Sequence, residues 1–299
     1  MDWSKSLNYV PNQGLDVSPD DKYFVVFNTE NWVFGLNPLF RTDISFFTPH
    51  SWYLAEDWNI RSEIPRQGAN PTNHGGAGCY WNGYLYDPIQ FYNGHWGAST
   101  NIYINVYRTN ATLLSCTNID GALGNGQGEC SAVCLDTNYF GQPVLFAVSF
   151  LTNRVWEYNV VNGTNLEYAR TLNPSFNYQL CQGIAWDAVS NIFYLVCDMS
   201  PQGVVDHAGY LYTMTTNGAV NYQARLTVPN ECEWEGISAS DGYLLADVNC
   251  GGIAAYFIHG RGGLANVPTS LLLSCLQTNW IIPGKPALYI SNNVVMRVN

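Results

Sequence analysis

Five polar residues stand at one recurring place in this chain. Gln13, His74, Glu129, Gln182 and Glu235 each open a phrase in which a polar residue precedes Gly or another small residue and then a β-rich run. The phrases read Gln13-Gly14-Leu15-Asp16-Val17, His74-Gly75-Gly76-Ala77-Gly78-Cys79 and Glu129-Cys130-Ser131-Ala132-Val133. Two more follow, Gln182-Gly183-Ile184-Ala185-Trp186 and Glu235-Gly236-Ile237-Ser238. Carboxylates and an imidazole are acid–base groups, and carboxylates with amides are also hard oxygen donors for a divalent cation. His74, Glu129 and Glu235 are therefore the acid–base candidates, and Gln13 and Gln182 the groups that hold a metal or a substrate. Glu235 and Glu129 carry most weight, because a carboxylate facing a channel needs a cation, a donor or a ligand.

Two further sets surround them. Asn28, Asp87, Asp198 and Asp247 are expected to end second strands on the same face, three carboxylates in one matched position. The competing role for each Asp is local, a cap on the next loop through backbone N–H groups. Trp81, Trp186 and Trp234 fall on or beside the same β-runs, where a Trp either packs between sheets or offers a ligand platform.

The elements that would position these groups follow from the spacing. Phrases roughly 50–60 residues apart signal a solenoid or propeller. Within each unit, β-branched and aromatic runs bounded by Gly, Asn, Asp and Pro read as strands. Unit one runs Gly14–Val17, Tyr23–Phe27, Trp32–Leu36; unit two Ala77–Trp81, Gly83–Tyr86, Ile102–Tyr107, Leu113–Cys116. Unit three runs Ala132–Leu135, Val144–Phe150, Val155–Val160, Leu166–Leu172; unit four Ile184–Trp186, Ile192–Cys197, Tyr210–Met214, Tyr222–Thr227. Unit five runs Ile237–Ala239, Tyr243–Ala246, Ile253–Ile258. Four short strands per unit is the anatomy of a propeller blade. Leu271–Cys275, Ala287–Ile290 and Val294–Val298, with Ser6–Val10 from the N-terminus, would build a sixth blade and close the ring by pairing the chain ends. The expected fold is thus all-β, one propeller domain over residues 1–299 with six four-stranded blades. Five blades is the alternative, because the last unit lacks the Gly phrase.

Long connections are expected on one face. Residues 37–73 hold Phe46, Phe47, His50, Trp52, Tyr53, Trp58 and Arg61. The stretch after Asp87 carries Tyr92, His95 and Trp96, and the stretch after Asp198 carries Asp206 and His207. Long loops gathered on one face of a scaffold are the usual home of a site.

Composition bounds the partners. Aromatic residues make up 14% and charged residues 12% of the 299, a balance that suits a β-rich extracellular protein. The nine cysteines and the sequons Asn110-Ala111-Thr112 and Asn162-Gly163-Thr164 point to glycosylation, disulfides and the secretory lumen or the exterior. The odd cysteine count leaves at least one thiol over. Met1-Asp2-Trp3-Ser4-Lys5 is no signal peptide, so a mature form with a replaced start Met is expected. No apolar run is long enough for a membrane helix. A net charge of −11 with 12 Lys and Arg excludes nucleic acid and anionic membrane as partners, since both need clustered basic residues. Phosphate loops, zinc-protease helices, Cys-x-x-Cys pairs and Gly-x-Ser-x-Gly elbows are absent. Cys130-x-x-x-Cys134 lacks a matching ligand set, which leaves a disulfide or buried thiols.

The phrases Gln182-Gly183-Ile184-Ala185-Trp186-Asp187 and Glu235-Gly236-Ile237-Ser238 resemble those of six-bladed propellers of the SMP-30/gluconolactonase and strictosidine-synthase-like group. That resemblance implies a divalent metal, calcium before others, held in the channel by Gln13, Gln182 and Glu235. The metal would polarise a lactone carbonyl and activate water. The chain departs from the pattern, with Gln13, Gln182 and Glu235 where the family has Glu, Asn and Asp. It also resembles fungal propellers that lack the metal set and guide cyclisation of a natural-product intermediate, hetero-Diels–Alder reactions included. Catalysis of that kind rests on orientation and hydrogen bonding.

Three classes of function stay open on this reading. The first is a secreted enzyme acting on a small organic molecule, by cyclisation without cofactor or by metal-assisted lactone hydrolysis. Its site is Gln13, Gln182, Trp81, Trp186, Trp234, Asp87, Asp198 and Asp247 around His74, Glu129 and Glu235. The second is a lectin-like binding propeller; loops that differ from unit to unit argue for one site rather than repeated ones. The third is a structural propeller without a ligand.

Overall fold

The computed structural model describes residues 12–17, 24–30, 41–47, 54–61, 72–92, 100–108, 112–119, 130–136, 142–175, 180–225, 234–240, 243–248, 252–257, 287–291 and 294–298. These residues are all-β, with no helix among them. The first sheet holds β1 (Asn12–Val17), β2 (Phe24–Glu30), β3 (Arg41–Phe47) and β4 (Leu54–Arg61) in that order. The second holds β5 (Thr72–Gly75), β6 (Cys79–Trp81), β7 (Tyr84–Tyr92), β8 (Thr100–Arg108) and β9 (Leu113–Asn118). Both β5 and β6 pair with β7, so one interrupted strand fills the first place. The third runs β10 (Cys130–Asp136), β11 (Val144–Ser149), β12 (Val155–Val161), β13 (Asn165–Leu172). The fourth runs β14 (Cys181–Asp187), β15 (Ile192–Met199), β16 (Val205–Thr215), β17 (Val220–Arg225). A fifth has β18 (Trp234–Ser240), β19 (Tyr243–Val248) and β20 (Gly252–Phe257), and β21 (Ala287–Ser291) pairs β22 (Val294–Val298). All these pairings are antiparallel meanders.

Burial falls from the first strand of a sheet to its last. Every residue of β14 and of β11 is buried, while β13, β17 and β9 show mostly half-buried or exposed residues. A strand buried on both faces reads as a continuous apolar run, and Val144-Leu145-Phe146-Ala147-Val148 is one. Phe146, Phe193 and Trp186 lock the third sheet to the fourth, with ring centroids 4.6 Å apart in both the Phe146–Phe193 and Trp186–Phe193 pairs. A second cluster around Trp156, Tyr86 and Ile104 joins the third sheet to the second.

First strands of successive sheets lie side by side. β1 packs on β6 and on β18, β10 on β6 and β14, and β14 on β18. Hydrogen bonds cross these seams: Ala77 N to Ser131 O at 2.7 Å, Val133 N to Ala77 O at 2.8 Å, and Ser238 Oγ to Asp16 Oδ1 at 2.6 Å. Asp16 Oδ2 also accepts from Tyr80 N at 2.7 Å, so one carboxylate ties β1 to two neighbours.

The structure corrects several connections. Residues 37–73, expected as one loop, contain β3 and β4, so Phe46, Phe47, Trp58 and Arg61 lie on strands. Acidic residues at Asp43, Glu56 and Asp57 hide the period-two pattern, and full antiparallel pairing of β2 with β3 overrides it. Tyr92 likewise belongs to β7, and Asp206 and His207 to β16, whose Val205 pairs Met199 across a tight turn. His50, Trp52, Tyr53, His95 and Trp96, and the strands expected at Trp32–Leu36, Leu271–Cys275 and Ser6–Val10, lie outside the described residues. Ala287–Ile290 and Val294–Val298 do form strands, as a hairpin.

Candidate functional site

The polar–small phrase is a β-bulge. Pairing of first and second strands slips by one residue between Asn12 and Gly14, Cys130 and Ala132, Cys181 and Gly183, and Trp234 and Gly236. The extra residue in each case is Gln13, Ser131, Gln182 or Glu235. A bulge leaves that residue out of the ladder and re-aims its side chain, which is how bulges serve sites. In the second sheet Gly76 takes the same place, its N–H donating to Pro88 O at 2.9 Å beyond the end of β5.

The small residue that follows has a packing reason. A Cβ on Gly14 would collide with Ala77, and one on Gly76 with the Ser131 and Cys130 carbonyls. A Cβ on Gly183 would press on Ile237 N and Gly236 Cα. First strands approach so closely here that there is no room for a Cβ at Gly14 or Gly183.

Gln182, Ser131 and Glu235 are 8%, 5% and 6% exposed, close to but not quite sealed from solvent. Gln182 Nε2 donates to Asp198 Oδ2 at 3.3 Å, which orients the amide. Ser131 Oγ donates to Cys181 O at 2.5 Å and fixes β10 to β14 beneath it. Gln90 Oε1 accepts from Cys130 N at 3.1 Å, a buried amide bridging β7 and β10. A carboxylate at Glu235, an amide held by Asp198 and a serine hydroxyl form a hydrogen-bonding, acid–base set on adjacent strands. Ser131 and Gln90 were not among the sequence candidates. Aligning the phrases on their small residue, Gly14 with Ala132, would have found Ser131. Gln90 carries no sequence signal.

The expected residues divide as follows. Gln182 and Asp198 are hydrogen-bonded across β14 and β15, and Glu235 takes the equivalent bulge on the neighbouring β18. Gln13 and His74 lie on β1 and β5, and Glu129 and Asn110 lie outside the described residues. The bulge position of the third sheet is Ser131, two residues after Glu129, which corrects the alignment of that phrase. The second-strand set is corrected too: Asn28 pairs Asn12 and Asp247 pairs Gly236, whereas Asp198 follows Cys197 and Asp87 sits mid-strand opposite Asn105. The four positions are not equivalent, because they stand at different offsets from the residue opposite the bulge. Asp87 is fully buried, neither oxygen has a hydrogen-bond partner among the described residues, and burial pushes its pKa up to about 8. Trp186 and Trp234 are buried, Trp186 in the core and Trp234 against the Gly209 backbone, and Trp81 packs at the edge of the second cluster. Asn162, exposed with φ 54° in the turn between β12 and β13, is sterically open to a glycan.

Metal ligation can be judged from the donor set. Among the described residues no three His, Cys, Asp or Glu side chains gather to hold an ion. The set that the resemblance implies, Gln13, Gln182 and Glu235, occupies three of the four bulges. In this structure Cys79, Cys116, Cys130, Cys134, Cys181 and Cys197 are in the reduced form, all but Cys116 buried.

Antiparallel four-stranded sheets whose first strands pack side by side define an all-β fold of the β-propeller type. Solved structures agree on the class. A glutaminyl cyclase from Myxococcus xanthus superposes with a TM-score of 0.50 at 11% identity, over 85% of this chain and 91% of that one. A GH43_1 enzyme from Xanthomonas citri gives a TM-score of 0.52 at 11% identity, over 81% and 82%. At such identity the likeness is one of fold. No protein-family model and no curated protein matches the chain.

Proposed function

We propose that this chain is a secreted propeller enzyme acting on a small organic molecule where the bulged residues of its first strands meet. One observation carries the reading: Gln13, Ser131, Gln182 and Glu235 are the bulged residues at the same point of four first strands. Four chemically different groups at one structural position suit a single asymmetric site. The packing of β1 beside β18 supports the alternative of five blades over the six expected. Both fold neighbours named above are enzymes by description, which makes catalysis on this scaffold reasonable by analogy alone.

Glu235 is the acid–base group, moving a proton as charge shifts in the substrate. Gln182, oriented by Asp198, donates or accepts a hydrogen bond that fixes the substrate. The reading covers cyclisation guided by orientation and hydrogen bonding and, with a cation held by Gln13, Gln182 and Glu235, lactone opening. A panel of lactones, esters and cyclisation precursors, run with wild-type and Glu235→Gln protein, tests this. A conversion that falls by roughly 100-fold or more in the variant supports the assignment. Equal conversion in both proteins, or sugar binding with one site per blade and no conversion, overturns it.

A further inference from the structure

We infer that Cys181 and Cys197 form a disulfide that staples the bulge presenting Gln182. The two residues are direct register partners on β14 and β15. Asp198 N donates to Leu180 O at 2.9 Å, so the cysteines occupy a non-hydrogen-bonded pair, the type in which opposed side chains come closest. Opposed positions there fall inside the Cα separation that a disulfide spans. Both residues are fully buried.

The position gives the bond its consequence. Cys181 precedes Gln182, and Cys197 precedes Asp198, so the link joins the residues next to the Gln182–Asp198 hydrogen bond. It closes the register on one side of the slip and keeps the two strands from sliding. That consequence for ligand binding rests on the site proposed above; the bond itself does not.

The oxidant is a disulfide donor, either glutathione disulfide or the active-site disulfide of a thiol oxidoreductase. The Cys181 thiolate attacks one donor sulfur and expels the other as a thiolate. The Cys197 thiolate then attacks Cys181 Sγ and releases the second donor sulfur. Two protons and two electrons pass from the cysteines to the donor, which leaves as two thiols. Burial requires that exchange occur before β14 and β15 are fully packed, during folding.

Full-length protein recovered from an oxidising secretory host, alkylated at once without reductant and mapped by peptide mass spectrometry, tests the proposal. The expected result is a Cys181–Cys197 linked peptide, with reduction lowering Tm by roughly 5 °C. The Cys197→Ser variant should show no change of Tm on reduction. Alkylated Cys181 and Cys197 in the folded wild-type protein, or either one linked to Cys79, Cys130 or Cys134, overturns it. Because the map needs no activity, its failure is distinct from failure of the functional reading.

Discussion

Replacing Asp87 with Asn isolates the cost of one buried carboxyl group. Asp87 is fully buried, its oxygens have no partner among the described residues, and burial pushes its pKa up to about 8. Unfolded, the same group titrates near 3.9. Between those values the folded protein holds a proton that the unfolded chain has released. Stability therefore falls as pH rises through this window. Each pH unit is worth 1.36 kcal/mol, so from pH 4 to pH 7 the loss is about 4 kcal/mol. Asparagine keeps the shape and removes the charge. Relative to wild type, Asp87→Asn should gain nothing at pH 4 beyond a constant offset and about 4 kcal/mol at pH 7, roughly 8 °C in Tm. Urea and thermal denaturation of both proteins at several pH values between 4 and 8 measures the difference. Parallel stability–pH curves for the two proteins would refute the reasoning, since they would mean Asp87 is solvated or paired.

Three further outcomes follow from the geometry. Gly14→Ala should cost roughly 1–3 kcal/mol in urea denaturation, because the new Cβ meets Ala77 where β1 and β6 touch. Arg170→Ala removes the 2.7 Å partner of nearly buried Glu157 and should cost about 1–2 kcal/mol, with Glu157→Gln in the same background recovering part of it. Expression through a secretory host should yield a glycan on Asn162, read as a mass loss on glycosidase treatment and absent in Asn162→Gln; an unmodified Asn162 peptide counts against secretion.

The strand pattern was legible wherever the chain is locally consistent. Val144–Ser149 and Val155–Val161 match the expected runs within a residue, because each alternates or runs apolar between clear turn signals. It failed at Arg41–Phe47 and Leu54–Arg61, where acidic residues break the pattern and only pairing, of β3 with β2 and of β4 with β3, defines the strands. The polar–small phrase was legible as a repeat and not as a bulge. Its physical meaning, one residue outside the ladder and the next squeezed against a neighbouring strand, depends on two sheets at once.

The sequence by itself determined the β class, the repeat and the residues Gln182, Asp198 and Glu235, because composition and local period report burial along a strand. Only the tertiary structure decided which of them meet. The bulge falls on Ser131, two residues past Glu129, and the second-strand acids Asp87, Asp198 and Asp247 stand at different registers relative to their bulges. Cys181 faces Cys197, and Asp87 loses its solvent, through contacts between segments that no local pattern links.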